Sequence, residues 1–231
     1  MEPKLYVIIP AYNEEDSIGL VIDDVPAIVT EIVVASNGST DGTDMVAQKH
    51  GATVVREDRR GYGWACLAAM ARLAKKANPQ DIIVFLDGDY SDYPGELPKL
   101  SNPIAAGDFD LVIGARDKAL REKGSMTGPQ IFGNWLSTTL MRWLFGSKFT
   151  DLGPFRAIRY DKLLALQMED KTYGWTVEMQ LKALKRKYRY TEVAVPYRNR
   201  IGVSKVSGTV KGAIFAGVKI LGWIFKYGLK K

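Results

Sequence analysis

The chain of 231 residues has only one cysteine and one histidine, Cys66 and His50. A single cysteine excludes an intramolecular disulfide and is typical of a protein from a reducing compartment. A single histidine excludes a histidine-rich zinc site, and a Ser-His-Asp triad would have to use His50. Because His50 precedes Gly51 where a helix is predicted to end, we expect a helix-end role for it instead.

Glycine-rich phosphate-binding patterns are also missing. The first predicted strand is followed by P-A-Y-N-E at residues 10–14, where a dinucleotide-binding domain would have G-x-G-x-x-G. The sequence has no G-x-x-x-x-G-K-[ST], which argues against a P-loop ATPase. The first residues do not form a signal peptide, because their apolar stretch is short and acidic residues follow at once. We therefore expect a cytoplasmic protein.

The composition is that of an ordinary globular protein with an excess of positive charge. Hydrophobic residues make up 46% of the chain and charged residues 25%, which at this length predicts one large α/β domain. The net charge of +6 favours anionic partners such as phosphorylated substrates or an acidic membrane surface. We do not expect nucleic-acid binding, because the basic residues are interleaved with a long apolar face rather than forming an exposed stripe.

Hydrophobic periodicity alternates between strand and helix through the first half of the chain. Strands are predicted at residues 5–9, 31–35, 53–56, 82–86 and 111–114, and helices at residues 17–28, 43–49 and 64–77. This β-α-β-α order predicts a parallel, doubly wound sheet. Residues 118–130 contain glycine, proline and several charges, and are predicted to form a mobile loop.

The most informative motif is Asp87-Gly88-Asp89, which directly follows the apolar run of the fourth strand. Ligands of open α/β sheets bind at the carboxyl ends of the strands. Two carboxylates one residue apart repel each other unless a cation lies between them or water screens them. Such a pair would suit Mg²⁺ or Mn²⁺, with substrate phosphates completing the coordination shell of the ion. We therefore predict a divalent-metal site at Asp87 and Asp89.

Two further turns lie where a nucleotide could bind. The segment S-N-G-S-T-D-G-T at residues 36–43 follows the second strand and could cap the next helix or contact a base or ribose. The segment G-Y-G at residues 61–63 opens the third helix. Small residues at a helix N-terminus let a phosphate approach free backbone N–H groups.

Together these segments resemble one family closely. V-I-I-P-A-Y-N-E-E, S-N-G-S-T-D-G-T, G-Y-G and D-G-D look like the nucleotide-sugar half of family 2 glycosyltransferases. Residues 150–156, 173–179 and 196–205 extend the match and look most like the dolichyl-phosphate mannose synthase and polyprenyl-phosphate glycosyltransferase branch. The resemblance covers nearly the whole chain.

The resemblance implies an α/β fold of the GT-A (Rossmann-like) type, a mostly parallel sheet flanked by helices and followed by an amphipathic C-terminal helix. The expected organisation is a single domain, 1–231. Its parts would be a nucleotide-sugar-binding half at 1–116, an acceptor half at 117–205 and the C-terminal helix at 206–231.

The resemblance also implies roles for individual residues. Those at the reaction centre would be Asp89, Arg116, Asp151 and Glu178. Those at the nucleotide-sugar would be Pro10, Tyr12, Glu14, Ser36, Asn37, Gly61 and Asp87. Those at an acceptor phosphate would be Arg156, Arg200 and Lys205, and the metal ligands would be Asp87 and Asp89.

The implied reaction is metal-dependent transfer of a hexose with inversion at the anomeric carbon. A polyprenyl or dolichyl phosphate acceptor needs cations rather than a general base, because its oxygen is already anionic. Ser36-Asn37 replaces the two aspartates that many relatives carry, so UDP-glucose and GDP-mannose both stay open as donors. The alternatives are a transferase with a soluble metabolite or glycan acceptor and a non-catalytic nucleotide-sugar-binding or membrane-scaffold protein.

The C-terminal segment has the periodicity of an amphipathic helix. One side carries Lys211, Lys219, Lys226 and Lys230, and the other carries Ile214, Val218, Leu221, Ile224 and Phe225. Such a helix could lie in a membrane surface, with Trp223 and Tyr227 at the level of the headgroups, or pack on the core or at a dimer interface. Residues 130–145 could form a second surface helix, for which core packing is the default expectation.

Overall fold

The computed structural model describes residues 2–202 and 210–228. Within that part the chain forms seven strands and eight α-helices, and a short 3₁₀ turn at Pro94–Glu96. In chain order these are β1 (Leu5–Ala11), α1 (Ile18–Asp23), β2 (Glu31–Ser36), α2 (Thr43–Lys49), β3 (Thr53–Arg56), α3 (Tyr62–Leu73), β4 (Ile82–Phe85), α4 (Leu97–Ala105), β5 (Leu111–Arg121), α5 (Gly128–Phe145), β6 (Arg156–Arg159), α6 (Tyr160–Leu166), α7 (Trp175–Lys185), β7 (Tyr190–Tyr197) and α8 (Val210–Gly228).

The strands form one sheet in the order β3-β2-β1-β4-β6-β5-β7. All neighbouring pairs are parallel except those of β6, which runs antiparallel to both β4 and β5. The mostly parallel sheet flanked by helices is therefore as predicted. Strands β6 and β7 were not predicted, and both come from the second half of the chain.

The sheet is covered on both faces, as the continuous apolar character of β1 and β4 requires. Successive side chains of a strand point to opposite faces. Tyr6 and Ile8 of β1 accordingly join the cluster that contains residues of α3, α6, α7 and α8. Val7 and Ile9 join the cluster on the other face, formed with α1, α2 and α4. The two layers place the carboxyl ends of β1, β2 and β4 at one edge of the sheet.

Several element boundaries differ from the prediction. Helix α1 ends at Asp23 instead of continuing to residue 28, because the residue before Pro26 is disfavoured in a helical conformation. The mobile loop predicted at residues 118–130 is wrong at both ends. Strand β5 continues to Arg121, which pairs with Tyr197 of β7, and α5 begins at Gly128 behind a capping box formed by Thr127 and Gln130.

Helices α5 and α8 pack against each other and expose an unusual amount of apolar surface. They carry nine of the fifteen large hydrophobic residues that are exposed in the described part of the chain. We call these nine residues the α5–α8 face: Ile131, Phe132, Trp135, Trp143, Leu144, Ile214, Phe215, Val218 and Phe225. The default expectation of core packing for residues 130–145 is therefore wrong for these side chains of α5.

Helix α8 is amphipathic, and its two described lysine side chains, Lys219 and Lys226, pair with acidic residues of the protein. Lys219 pairs with Asp170 at 3.2 Å and Lys226 with Glu169 at 3.3 Å. Trp223 is only 7% exposed, so its predicted place at the level of the headgroups is wrong. Ile224, predicted on the outer apolar side, is fully buried. Lys230 and the side chain of Lys211 lie outside the described part. No helix within residues 2–202 and 210–228 is long and apolar enough to cross a membrane.

Candidate functional site

The Asp87-Gly88-Asp89 motif lies directly beyond the end of β4, at the edge where β1 and β2 also end. The Tyr62 hydroxyl donates a hydrogen bond to Asp87 Oδ1 at 3.1 Å. Asp89 is 5% exposed, and its Oδ1 accepts hydrogen bonds from the backbone N–H of Ser91 at 2.9 Å and from the Ser91 hydroxyl at 2.5 Å. These bonds fix both carboxylates in orientation.

A cation from the distant end of the chain faces the same carboxylates. Arg200 NH1 lies 3.1 Å from Asp89 Oδ2, and its NH2 lies 3.5 Å from Glu14 Oε1. The backbone N–H of Ile201 also donates to the Asp89 carbonyl at 3.0 Å. Three residues predicted for this site, from positions 14, 89 and 200, are therefore brought together. Lys205, the other predicted acceptor contact in this segment, lies outside the described residues.

The donor set of this site suits a hard divalent ion. Burial, followed by the charge of Asp89, raises the pKa of Asp87 to about 7, so two negative charges here need a cation nearby. Within the described residues no group of three or more His, Cys, Asp or Glu side chains could hold a metal. A site with two carboxylates leaves the remaining positions to water and substrate phosphates, as Mg²⁺ prefers.

Arg116 and Asp151, both predicted at the reaction centre, form a closed ion pair. Asp151 Oδ2 accepts hydrogen bonds from the backbone N–H of Arg116 at 2.8 Å and from its Nε at 2.9 Å, and Oδ1 accepts from NH2 at 2.5 Å. Although burial alone would raise it, the pKa of Asp151 is lowered by Arg116. A carboxylate held in this way is a poor general base. The pair suits an anionic acceptor, because an anionic acceptor needs no general base.

The residues predicted to contact the nucleotide-sugar fall into two sets, those at the edge of the sheet and those that bond or pack within the protein. Pro10 lies in β1 beside Ala35 of β2, and the ring of Tyr12 is stacked under the guanidinium of Arg60 at 4.0 Å. Ser36 lines a pocket of about 60 Å³ at the end of β2. Pro10, Tyr12 and Ser36 thus all lie at the edge of the sheet that carries the aspartates.

Asn37 is occupied within the protein. Its Nδ2 donates to the Glu57 and Arg59 carbonyls at 3.1 and 2.7 Å, and its Oδ1 accepts from the Gly61 N–H at 2.7 Å. Both amide hydrogens are therefore committed to the backbone of the loop that precedes α3. In the structure Asn37 joins this loop to β2, and its contact with the nucleotide stays a prediction.

Gly61 and Gly63 are required by a neighbouring segment of this chain. A Cβ at Gly61 would lie 2.1 Å from the Lys171 carbonyl oxygen, and a Cβ at Gly63 would lie 2.0 Å from the Asp170 carbonyl oxygen. Any side chain larger than hydrogen would collide with backbone there. Gly61 is therefore needed for close packing against residues 170–171, and its contact with the nucleotide-sugar stays a prediction.

Two predicted site residues are enclosed in the core. Arg156 is fully buried and donates to the carbonyls of Thr176 at 2.8 Å, Leu152 at 3.1 Å and also Gly153. Burial lowers the pKa of Arg156 to about 10. In this structure the guanidinium is bonded to backbone carbonyls, and its contact with an acceptor phosphate stays a prediction.

Glu178 is likewise fully buried. It accepts hydrogen bonds from the backbone N–H groups of Glu169 and Asp170 at 2.7 and 2.8 Å, and it pairs with Lys182 at 2.7 Å. Its oxygens are thus committed to the segment before α7. The place of Glu178 beside the sugar and acceptor stays a prediction.

Residues 6–166 match the model of the glycosyl transferase family 2. The chain belongs to this family. It is 34% identical over 215 residues to a dolichyl-phosphate hexose transferase of Haloferax volcanii, covering 90% of this chain and 89% of the relative. It is 29% identical over 230 residues to an undecaprenyl-phosphate mannosyltransferase of Micrococcus luteus, covering 93% of this chain and 92% of the relative.

Solved structures give the same fold. Glucosyl-3-phosphoglycerate synthase of Mycobacterium tuberculosis, in complex with Mn²⁺, UDP-glucose and phosphoglyceric acid, superposes with a TM-score of 0.77 at 22% identity. The match covers 98% of this chain and 80% of that one. The predicted GT-A fold and the prediction of a glycosyltransferase are confirmed.

The candidate site contains one carboxylate that was not predicted from the sequence, that of Asp92. Asp92 is 1% exposed, and neither of its carboxylate oxygens makes a hydrogen bond. Burial, then the charges of Asp87 and Asp89, raise the pKa of Asp92 well above its usual range. An orphaned buried carboxylate beside Asp87 and Asp89 increases the need for a cation at this site. The spacing D-x-D-x-x-D in residues 87–92 is the sequence signal that could have identified Asp92.

Proposed function

We propose that this glycosyltransferase moves a hexose from a nucleotide-sugar of the UDP-glucose or GDP-mannose type to a polyprenyl or dolichyl phosphate. The observation that carries the proposal is the facing arrangement of the Asp87 and Asp89 carboxylates and the Arg200 guanidinium at one edge of the sheet. The names of relatives at 34% and 29% identity support the acceptor class.

Asp87 and Asp89 would hold Mg²⁺ or Mn²⁺ together with the donor diphosphate. When bound, the ion acts as a Lewis acid that offsets the charge developing on the leaving nucleoside diphosphate. Tyr62 and Ser91 keep the two carboxylates oriented toward one point. The Mn²⁺ and UDP-glucose in the complex of glucosyl-3-phosphoglycerate synthase support this assignment.

The acceptor phosphate would be bound by cations, and its own oxygen would attack the anomeric carbon in line. Arg200, whose side chain is 31% exposed, is the described cation nearest to Asp89. Lys205 remains a predicted contact of the acceptor. Asp151 does not have to act as a base, because its carboxylate is held by Arg116 and a phosphate oxygen is already anionic. Inversion of configuration follows from a single displacement.

The α5–α8 face would place the enzyme on the cytoplasmic surface of a membrane. Its tryptophans, Trp135 and Trp143, are 58% and 78% exposed, and exposed apolar patches mark interaction surfaces. Tryptophan is favoured at the interface between lipid and water. In this arrangement residues 1–116 bind the donor, residues 117–205 the acceptor, and the C-terminal helix the lipid surface.

A soluble acceptor is the second candidate. It is favoured by the structural similarity to glucosyl-3-phosphoglycerate synthase, which was solved with phosphoglyceric acid bound. Phosphoglycerate and a polyprenyl phosphate share a phosphate group, so the same cations could serve either one.

A donor-turnover assay separates the two candidates. UDP- and GDP-sugars are incubated with Mg²⁺ or Mn²⁺, either alone, with a short polyprenyl phosphate or with phosphoglycerate, and released nucleoside diphosphate is measured. Release that depends on the lipid supports the proposal and names the donor. Release that ignores the lipid but responds to phosphoglycerate supports the second candidate. Absence of turnover with every donor contradicts both.

A further inference from the structure

Helix α8 packs against α5 and α7, and its polar contacts with the rest of the enzyme include one buried carboxylate. Asp170 is 2% exposed. Its Oδ2 accepts a hydrogen bond from the indole N–H of Trp223 at 2.6 Å and lies 3.2 Å from Lys219 Nζ. Gly174 lies beneath the same indole, since a Cβ there would be 2.4 Å from Trp223 Cδ1. Asp170 thus determines where α8 rests on the protein.

The other oxygen of Asp170 organises its own segment. Oδ1 accepts hydrogen bonds from the backbone N–H groups of Thr172 at 2.7 Å and Gly174 at 3.0 Å. The Asp170 N–H in turn donates to Glu178 at 2.8 Å. One carboxylate therefore fixes the conformation of residues 170–174 and the position of α8 at the same time.

This segment lies directly on the turn that begins α3. The Asp170 and Lys171 carbonyls occupy the space that Cβ atoms of Gly63 and Gly61 would need. Tyr62, between these glycines, donates its hydroxyl hydrogen bond to Asp87. A contiguous series of contacts therefore leads from Trp223 through Asp170 to Tyr62 and the metal-site carboxylate.

We propose that Asp170 is a positioning residue that couples the docking of α8 on a lipid surface to donor binding at Asp87. The inference rests on the proposed function, since it takes the nucleotide-sugar to bind at the carboxylates and the α5–α8 face to bind lipid. Ile214, Val218 and Phe225 point outward from α8 and are 59%, 64% and 44% exposed. When a bilayer holds this exposed side of α8, the opposite side of the helix, which carries Trp223, is pressed against Asp170.

Coupling of this kind is reciprocal, so lipid must tighten donor binding as much as donor tightens lipid binding. The probes are UDP and GDP with Mn²⁺, titrated calorimetrically in the presence and absence of vesicles of phosphatidylglycerol and phosphatidylcholine. For the unmodified protein, we expect vesicles to lower the nucleotide Kd about fivefold or more.

Two variants test the role of Asp170. Asp170→Asn weakens the bond to Lys219 and Trp223 with little change in shape, and Trp223→Phe removes the indole N–H together with one ring while it keeps an aromatic side chain. In both we expect vesicle binding and nucleotide binding to persist, while the shift in Kd falls below about twofold. Donor KM should rise in the vesicle-bound reaction while kcat and acceptor KM stay nearly constant. Glu169→Gln is the matched control, because Glu169 pairs with Lys226 of the same helix but is 58% exposed. It should keep the full shift.

The outcomes are distinct. If Asp170→Asn keeps the vesicle-induced shift, or if the unmodified protein binds vesicles with no shift, the coupling is refuted while the proposed function stands. If the unmodified protein binds no nucleotide, or no vesicles, the proposed function fails and the coupling fails with it. Because Trp223→Phe leaves the carboxylate in place, it decides the question even if Asp170→Asn does not fold.

Discussion

Replacement of Gly63 by alanine tests the packing of residues 170–171 on the start of α3. The added Cβ would lie 2.0 Å from the Asp170 carbonyl oxygen and 2.8 Å from the Lys171 Cα. Ordinary carbon–oxygen contacts begin near about 3.3 Å, so backbone on one side must move by more than about 1 Å. Gly63 does not have a positive φ, so the cost is steric rather than conformational.

Overpacking of this kind costs about 1–3 kcal/mol. For a chain of this length, each kcal/mol lowers the unfolding temperature by about 2–4 °C, so we expect a fall of roughly 2–12 °C. Displacement of the turn also moves Tyr62 away from Asp87, and the affinity for UDP or GDP with Mn²⁺ should fall. Differential scanning calorimetry and a nucleotide titration measure the two effects.

Gly133→Ala is the matched control. Gly133 lies within α5, and a Cβ there would meet no atom within 4 Å. Alanine in a helix is favoured over glycine by about 0.5–1 kcal/mol, so this variant should unfold at a slightly higher temperature and bind nucleotide normally. If Gly63→Ala were as stable as Gly133→Ala, the close approach of residues 170–171 would be refuted.

Four further predictions follow from the site and the surface. Asp89→Asn should lower metal-dependent turnover by about 100-fold or more, measured as nucleoside diphosphate release, with unchanged circular dichroism. Because the pKa of Asp87 is raised to about 7, the affinity for Mn²⁺ should fall about tenfold per pH unit below 7. For the same reason, the stability of the metal-free protein should decline as pH rises from about 4 through 7. An affinity for Mn²⁺ that does not change with pH would contradict this. Arg156→Met should remove one donor from each of three carbonyls and lower stability by about 1–3 kcal/mol, while acceptor KM stays the same; a raised acceptor KM at unchanged stability would support the phosphate role. Trp143→Ser should weaken vesicle binding about tenfold in a co-sedimentation assay, whereas Met45→Ser, on an exposed residue outside the α5–α8 face, should not.

The first half of the fold could be predicted from the sequence because its signals are local. An apolar run followed by Asp87-Gly88-Asp89 identifies both a buried strand and the end at which ligands bind. Strands β6 and β7 could not be predicted in this way. Their positions in the sheet depend on pairing with β4 and β5, which lie far away in the sequence, and a short apolar run does not reveal its partner.

Site residues whose side chains follow a strand could be placed at the edge of the sheet from the sequence, whereas the burial of other candidates could not be predicted. Arg156 and Glu178 belong to motifs typical of the family, but a motif does not show that a side chain is enclosed. The orientation of α8 was missed for a similar reason. Periodicity separates its two sides, yet which side meets the protein depends on Glu169 and Asp170, about 50 residues earlier in the chain.

The insertion of β6 between β4 and β5 has a consequence for how the protein is made. β4 is fully buried in the finished sheet, but the strand that covers its outer edge begins only at Arg156. At about 5–20 residues per second, roughly 4–14 s of synthesis separate Phe85 from that strand. During this interval the nascent chain presents an unpaired apolar edge next to Asp87, where other strands can add. Residues 1–116 therefore cannot complete the sheet by themselves, and its completion waits for β6 to leave the ribosome.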